Sequence, residues 1–282
     1  MTLTRRGRLL RTTVVGGLLV GLLTYVVVDR TSVGTLLGLG PPAPCTVTIG
    51  EDTLEWSFEQ AQTATTVAGV GTRTGASVNA VAEAVRRALV ALADAEEPTS
   101  FGPRAARNVY PDARDAAEPD EGSVALAQVL LGRRGPALTC VIPLDRSGRE
   151  PEAEPPGALG LTPTANTLRK AMRAVYGRQS LGGFDPDGVR EGHVDGSAHY
   201  EGRAIDVFFR PVNEAHQQRG WQQALWAVAH AESLDVATVI FDRQIWTADR
   251  SVQGWRTYEH PSGPTDNPVL LHEDHVHVDV PR

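Results

Sequence analysis

The residues that most restrict this chain are His275-Val276-His277-Val278-Asp279-Val280, where polar and apolar side chains alternate without a break. Successive side chains of a strand point to opposite faces, so this segment can bury its valines while His275, His277 and Asp279 project together from the other face. The alternation predicts a short strand over residues 276–280. Asp274 projects the other way unless the strand begins after it.

A second stretch, Ser197-Ala198-His199-Tyr200-Glu201-Gly202-Arg203-Ala204-Ile205-Asp206, carries matching chemistry. Its histidine precedes a turn glycine, and the aspartate lies seven residues on, inside a strand predicted over residues 204–209. Two imidazoles and one carboxylate suit Zn²⁺ and leave a fourth tetrahedral position open, which separates a catalytic zinc from a structural one. His199 and Asp206 are candidate ligands together with an imidazole of the closing strand, and His277 can take that place with His275 beside it. His275 shares a face with His277, and a turn can bring Asp274 to the same place, so both stand as candidate proton carriers. Asp279 can orient an imidazole as an acceptor behind it. His193 and Asp195 could in principle ligate a metal, yet they sit in a loop flanked by Gly192 and Gly196 and are expected to face solvent or the mouth of a cleft. His216, His230 and His260 receive no role.

The other end of the sequence speaks to compartment. Residues 12–28 form an apolar run of 17, long enough to cross a bilayer, with Arg5, Arg6, Arg8 and Arg11 ahead of it. The positive-inside rule then places the bulk of the chain outside. Residues 29–34 offer no small-x-small cleavage site, so the expectation is an uncleaved single-pass anchor in the cell membrane, not a removed signal peptide. The net charge is -7, and the first 30 residues hold five arginines against Asp29, leaving -7 - 4 = -11 for the remainder. That balance excludes a nucleic-acid partner, which needs clustered cations. The two cysteines, Cys45 and Cys140, read as one disulfide in an oxidising compartment.

Organisation follows from composition. Residues 1–30 are read as cytoplasmic tip and transmembrane anchor and residues 31–44 as a proline-rich stalk. Residues 45–145 are read as a small helical domain closed by the disulfide, with residues 58–95 broken into two helices by Gly69, Gly71 and Gly75 and a short helix over residues 124–131. Residues 146–160 are a linker rich in proline, acids and glycine. Residues 161–282 make an α+β domain: a helix over residues 164–176, strands over residues 204–209 and 236–242, and between them a helix from Asn213 whose Gln217, Gln218, Gln222 and Gln223 form a polar outer face. Its tryptophans Trp221, Trp226, Trp246 and Trp255 are expected in the core or in the wall of a cleft.

The pattern Ser197-x-His199-x-x-Gly202-x-Ala204-x-Asp206 with His275-x-His277 resembles the two-part signature of the zinc peptidases that include D-Ala-D-Ala carboxypeptidases, vancomycin-resistance dipeptidases, L-Ala-D-Glu endolysins and lysostaphin-type endopeptidases. The run from Asp274 to Val278, with Val239-Ile240-Phe241 and Ile245-Trp246, also resembles a C-terminal domain of actinobacterial exported proteins, over about the last 110 residues. The resemblance implies a zinc-peptidase-like fold, zinc held by His199, Asp206 and His277, substrate contacts from Arg190 and Ser197, and peptidoglycan peptides as substrate. It also implies a carboxypeptidase or endopeptidase acting at the outer face of the membrane. Many relatives carry Glu or Asp three residues before the last ligand; here that slot is Asp274, followed by His275, which keeps both in play. The helical segment resembles a shortened lysozyme-like domain with Leu89-Val90-Ala91-Leu92 where a catalytic acid would stand, which implies no glycosidase activity. The rival expectation is a metal-containing module that binds cell wall or a partner without cutting it.

Overall fold

The computed structural model of the protein describes residues 43–110, 118–143 and 153–282. Strands β1 (Cys45–Ile49) and β2 (Asp52–Trp56) turn back on each other, with Gly50 at φ 64° between them, and β3 (Leu138–Cys140) pairs with the other edge of β1. The register sets Cys45 directly opposite Cys140, and a disulfide joins them. The first region is thus not purely helical, as its sequence suggests, but opens and closes on a three-stranded antiparallel sheet.

Helix α1 (Phe58–Thr74) starts at a capping box between Ser57 and Gln60, which satisfies two otherwise orphaned N–H groups, and stops at Gly75 in the left-handed region. Helix α2 (Val78–Ala93) follows, capped by Ser77. Gly69 and Gly71 do not break α1. They let it pack closely: a Cβ on Gly69 would lie 2.5 Å from Val175 Cγ1, and one on Gly71 would lie 2.1 Å from the Tyr110 hydroxyl. Short helices α3 (Pro103–Asn108) and α4 (Glu121–Leu130) complete this part.

Helix α5 (Pro163–Tyr176) leads into the second part, followed by β4 (Leu181–Gly182), β5 (Ala204–Phe208), α6 (Glu214–Ala229) and α7 (Ala231–Leu234). Then come β6 (Thr238–Phe241), β7 (Gln244–Thr247), β8 (Arg256–Thr257) and β9 (His275–Asp279). Six strands form one antiparallel sheet in the order β4-β5-β9-β6-β7-β8, so the last strand is inserted between β5 and β6. Helix α6 lies on one face of that sheet against β6 and β9, and α1 packs on its far side. Its expected polar face is therefore corrected, since Gln222 and Gln223 are buried between layers. Trp221, Trp226 and Trp246 are core residues, as expected.

Among the described residues no helix is long and apolar enough to cross a membrane. The longest, α1, has 17 residues and spans about 25 Å, short of the roughly 30 Å hydrocarbon layer, and its buried face is rich in threonine. The expected N-terminal transmembrane helix and single-pass membrane placement are accordingly corrected: the structure does not support them. The run at residues 12–28 lies outside the described residues, as do residues 31–42 of the stalk, part of the acidic loop, and the start of the linker. The disulfide is what remains as a sign of compartment, and it points to an oxidising one.

The junction between α1 and α6 is held by a chain of hydrogen bonds. Trp226 Nε1–H donates to Thr66 Oγ1 (3.4 Å), the Thr66 hydroxyl donates to His230 Nε2 (3.3 Å), and His230 Nδ1–H donates to the Trp226 carbonyl (2.8 Å). Burial pushes the His230 imidazole down to about 4, outweighing the hydrogen bond to Trp226.

Two stability predictions follow from this architecture. Replacing Cys45 and Cys140 by serine frees a loop whose ends are 95 residues apart, and denaturant unfolding should show a loss of about 4–5 kcal/mol. For His230, the unfolded chain takes up a proton near pH 6.5 and the folded one only near 4, so its contribution is complete above 6.5 and lost as pH falls to 4. In urea titrations at a series of pH values, His230→Asn should lose roughly 3 kcal/mol less than the wild type across that window.

Candidate metal centre

Adjacent strands β5 and β9 build the centre by register. Asp206 pairs with His277, Phe208 with His275, and Ala204 with Asp279. Directly opposed residues share a face, so these six lie on one side of the sheet, and Ile205, Val207, Val276 and Val278 lie on the other, fully buried. β9 begins at His275, so Asp274 precedes the strand and is released from its alternation. His199 arrives from a 3₁₀ turn, Ala198–Glu201, which Ser197 caps and Gly202 closes at φ 69°. The seven-residue interval from His199 to Asp206 is this turn plus the first residues of β5.

Three atoms converge. His199 Nε2 lies 3.0 Å from His277 Nδ1 and 3.3 Å from Asp206 Oδ1, and His277 Nδ1 lies 3.3 Å from the same oxygen. Ligand atoms about 2.0–2.1 Å from a tetrahedral ion sit about 3.3–3.4 Å apart, so this triangle has the size of one tetrahedral face. The far nitrogens fix the tautomers. His199 Nδ1–H donates to the Gly183 carbonyl at 2.7 Å, and His277 Nε2–H donates to Asp279 Oδ2 at 3.2 Å. Both inward nitrogens then carry lone pairs, and with the Asp206 carboxylate they make three acceptors facing one another. Such a group repels itself unless a cation sits among it.

The titration behaviour carries the same message. Burial pushes the Asp206 carboxyl up, but His199 and His277 hold it well below the usual carboxylate range. Burial pushes His277 down, yet hydrogen bonds to Asp206 and Asp279 raise it to about 9. The centre draws positive charge, whether a proton or a metal ion.

His275 and Asp274 take different positions beside this face. His275 Nε2 points to Asp206 Oδ1 at 3.8 Å, while its Nδ1 is held by Asp274 Oδ1 at 2.7 Å. The other Asp274 oxygen accepts Arg210 Nε–H at 2.5 Å. Ser197 spends its hydroxyl on the His199 N–H (3.4 Å), and Arg190 is exposed on the loop before it, with no ion pair among the described residues.

Two contributors, His272 and Gly183, escape the sequence reading, and a third, His193, is set aside there in favour of solvent or the cleft mouth. The His193 ring stacks on His199 at 3.9 Å, and donor atoms of His193, His199 and Asp206 all lie within 4.8 Å of one another, a second grouping able to hold a metal ion. His272 stands 4.6 Å from His275 and 5.8 Å from His277 between ring centroids, with a buried Nδ1 that has no partner among the described residues. Gly183, at φ 78°, gives its carbonyl to His199, and a Cβ there would lie 2.3 Å from His199 Cε1. The flanking glycines made His193 look like a loop residue facing solvent. No pattern singles out His272 or Gly183, because their reasons are contacts made across the fold.

Fold and centre together define an α+β protein in which His193, His199 and Asp206 form a group that could bind a metal ion. Among known proteins, residues 157–269 are similar to the family described as VldE, C-terminal domain, a match that takes in His193, His199 and Asp206 and ends before β9. No curated protein and no solved structure matches the chain. Nothing in these comparisons links it to the D-Ala-D-Ala carboxypeptidases or lysostaphin-type peptidases.

Gly183 gives the sharpest test of the centre's geometry. A Gly183→Ala substitution must displace the His199 ring and strain the backbone. Metal affinity, read by competition with a chelating dye, should fall about 10–100-fold while far-ultraviolet circular dichroism stays that of the wild type.

Proposed function

We infer that the chain is a zinc-dependent hydrolase of peptidoglycan peptides, a carboxypeptidase or endopeptidase, working in an oxidising compartment. The observation that carries this reading is the Asp274–His275 pair set beside the triangle of ligand atoms, with His275 Nε2 turned toward it. His199, Asp206 and His277 would hold the ion, and two imidazoles with one carboxylate suit zinc. Zinc bound there supplies Lewis acidity toward a peptide carbonyl.

The chain's own residues supply the proton handling. His275 accepts at Nε2 a proton from the water that attacks the peptide carbonyl, and Asp274, accepting from Nδ1–H, offsets the positive charge that the ring takes on. The same nitrogen then delivers the proton to the leaving amine. Arg210 anchors Asp274 through its second oxygen, which keeps the His275 ring aimed. Asp274 is thereby a positioning residue in this scheme, and His275 the proton carrier. The peptide substrate is supported by the spacing of His199, Asp206, His275 and His277, which resembles that of the zinc peptidases.

A metal-containing module that binds wall or partner without cutting has one observation in its favour: the ligand residues His199, Asp206 and His277 are only 3%, 5% and 8% exposed. Substrate has to reach a site that is nearly closed.

Metal analysis and mass spectrometry of defined muropeptides separate the two. His277→Ala should lose the metal and all turnover, whereas His275→Ala should keep one zinc per chain with turnover lower by roughly 10²–10⁴-fold. Stoichiometric zinc in the wild type with no muropeptide changed in mass would rule out the hydrolase and leave the binding module.

A further inference from the structure

A cavity of about 620 Å³ opens where the end of β5 meets α1, α5 and α6. Arg73, Arg178, Arg210 and Arg219 line it, and no acidic side chain does. That is a local reversal in a chain with 34 acidic residues against 27 Lys and Arg. Among the described residues Arg73, Arg178 and Arg219 have no carboxylate partner, Arg73 donating to the Ala174 carbonyl, and Arg210, whose guanidinium lies over the Phe208 ring, gives only its Nε to Asp274. Four like charges gathered at one opening repel each other unless an anion joins them.

A second observation is independent of the arginines. Gln222 and Gln223, 2% and 1% exposed, also line the cavity, and the Nε2 of each is a buried donor with no partner, two unpaired donors against one unpaired acceptor, the Oε1 of Gln179, whose Nε2 donates to Gln223 Oε1 at 2.8 Å. Buried amide donors left unpaired are costly, so they are kept where an acceptor comes and goes. Planar guanidinium and amide donors fit the two oxygens of a carboxylate. The remaining walls include Tyr176, Val207 and Phe208, apolar surface that inorganic phosphate cannot use but the carbon skeleton beside a peptide carboxylate can.

We propose that this cavity is a subsite for the free carboxylate of a peptide ligand. It adjoins the metal centre: Phe208 pairs with His275 across β5 and β9, and Arg210 reaches His275 through Asp274. Anion binding rests on the cavity alone; that the peptide is the one handled at the metal centre rests on the function inferred above.

Calorimetry on the full chain with N-acetyl-trialanine, its C-terminal amide and inorganic phosphate tests the assignment. The acid should bind, more weakly as salt is added, and at least tenfold more tightly than either the amide or phosphate. The Arg178→Ala/Arg219→Ala double variant should bind the acid at least tenfold more weakly. Arg104→Ala, at an exposed arginine outside the cavity, should bind it as the wild type does, and calorimetry reads binding independently of any hydrolysis. Equal binding of acid and amide overturns the proposal in the wild type, before any variant is needed. Tighter binding of phosphate, an unchanged double variant or an equal loss of binding in Arg104→Ala overturns it equally.

Discussion

Pairing Asp206 opposite His277 on neighbouring antiparallel strands brings a carboxylate and an imidazole within reach before any side chain has chosen a rotamer. Everything else at the centre is arranged around that pair. The same register sets four aliphatic residues, Ile205, Val207, Val276 and Val278, on the opposite face beneath α6. A slip of one residue would exchange the faces, exposing the valines and pressing His275 and His277 into the apolar layer. Each aliphatic side chain is worth roughly 1.5–3 kcal/mol of burial, so the helix on one face enforces the chemistry on the other. Stability and site are two faces of one alternation.

How much of this was legible in the sequence depends on how local each reason is. Alternation from His275 to Val280 gave the strand and its facing, and the interval from His199 to Asp206 gave a turn feeding a strand, because both are written in consecutive residues. Helix starts at Ser57, Thr162 and Asn213 are of the same kind, each set by a capping side chain. Gln222 and Gln223 were misread because a polar stripe on a helix says nothing about a second layer, and α1 covers that stripe. Gly69 and Gly71 read as breakers until Val175 and Tyr110 are seen against them. The three-stranded sheet was missed because β1 finds β3 only across some 95 residues of intervening chain. For His193, His272 and Gly183 the deciding partners are again remote.

Each imidazole that faces the centre has a distinct acceptor behind it. His199 leans on a neutral carbonyl, His277 on the Asp279 carboxylate, and His275 on the Asp274 carboxylate that Arg210 pins. These backing contacts decide which ring nitrogen carries the proton, and so which one offers a lone pair to the centre. An isolated buried carboxylate such as Asp206 would cost several kcal/mol, and the convergence of two imidazoles offsets this only if positive charge resides with them. A packing accident would not repeat the same device at three rings.

His272 and His277 show how the surroundings divide labour between chemically identical groups. His277 is buried and His272 partly so, and burial pushes both toward the neutral form. At His277 the carboxylates of Asp206 and Asp279 win, and the ring is raised to about 9. At His272 burial is joined by the neighbouring His277 and His275, and the ring falls to about 2. His193 is lowered in the same way, by burial first and then by His199. Positive charge is thus drawn to the triangle of His199, Asp206 and His277 and kept off the rings that wall it. A cation entering the centre meets neutral walls and one anionic face, so both groupings that could hold it share His199 and the Asp206 carboxylate.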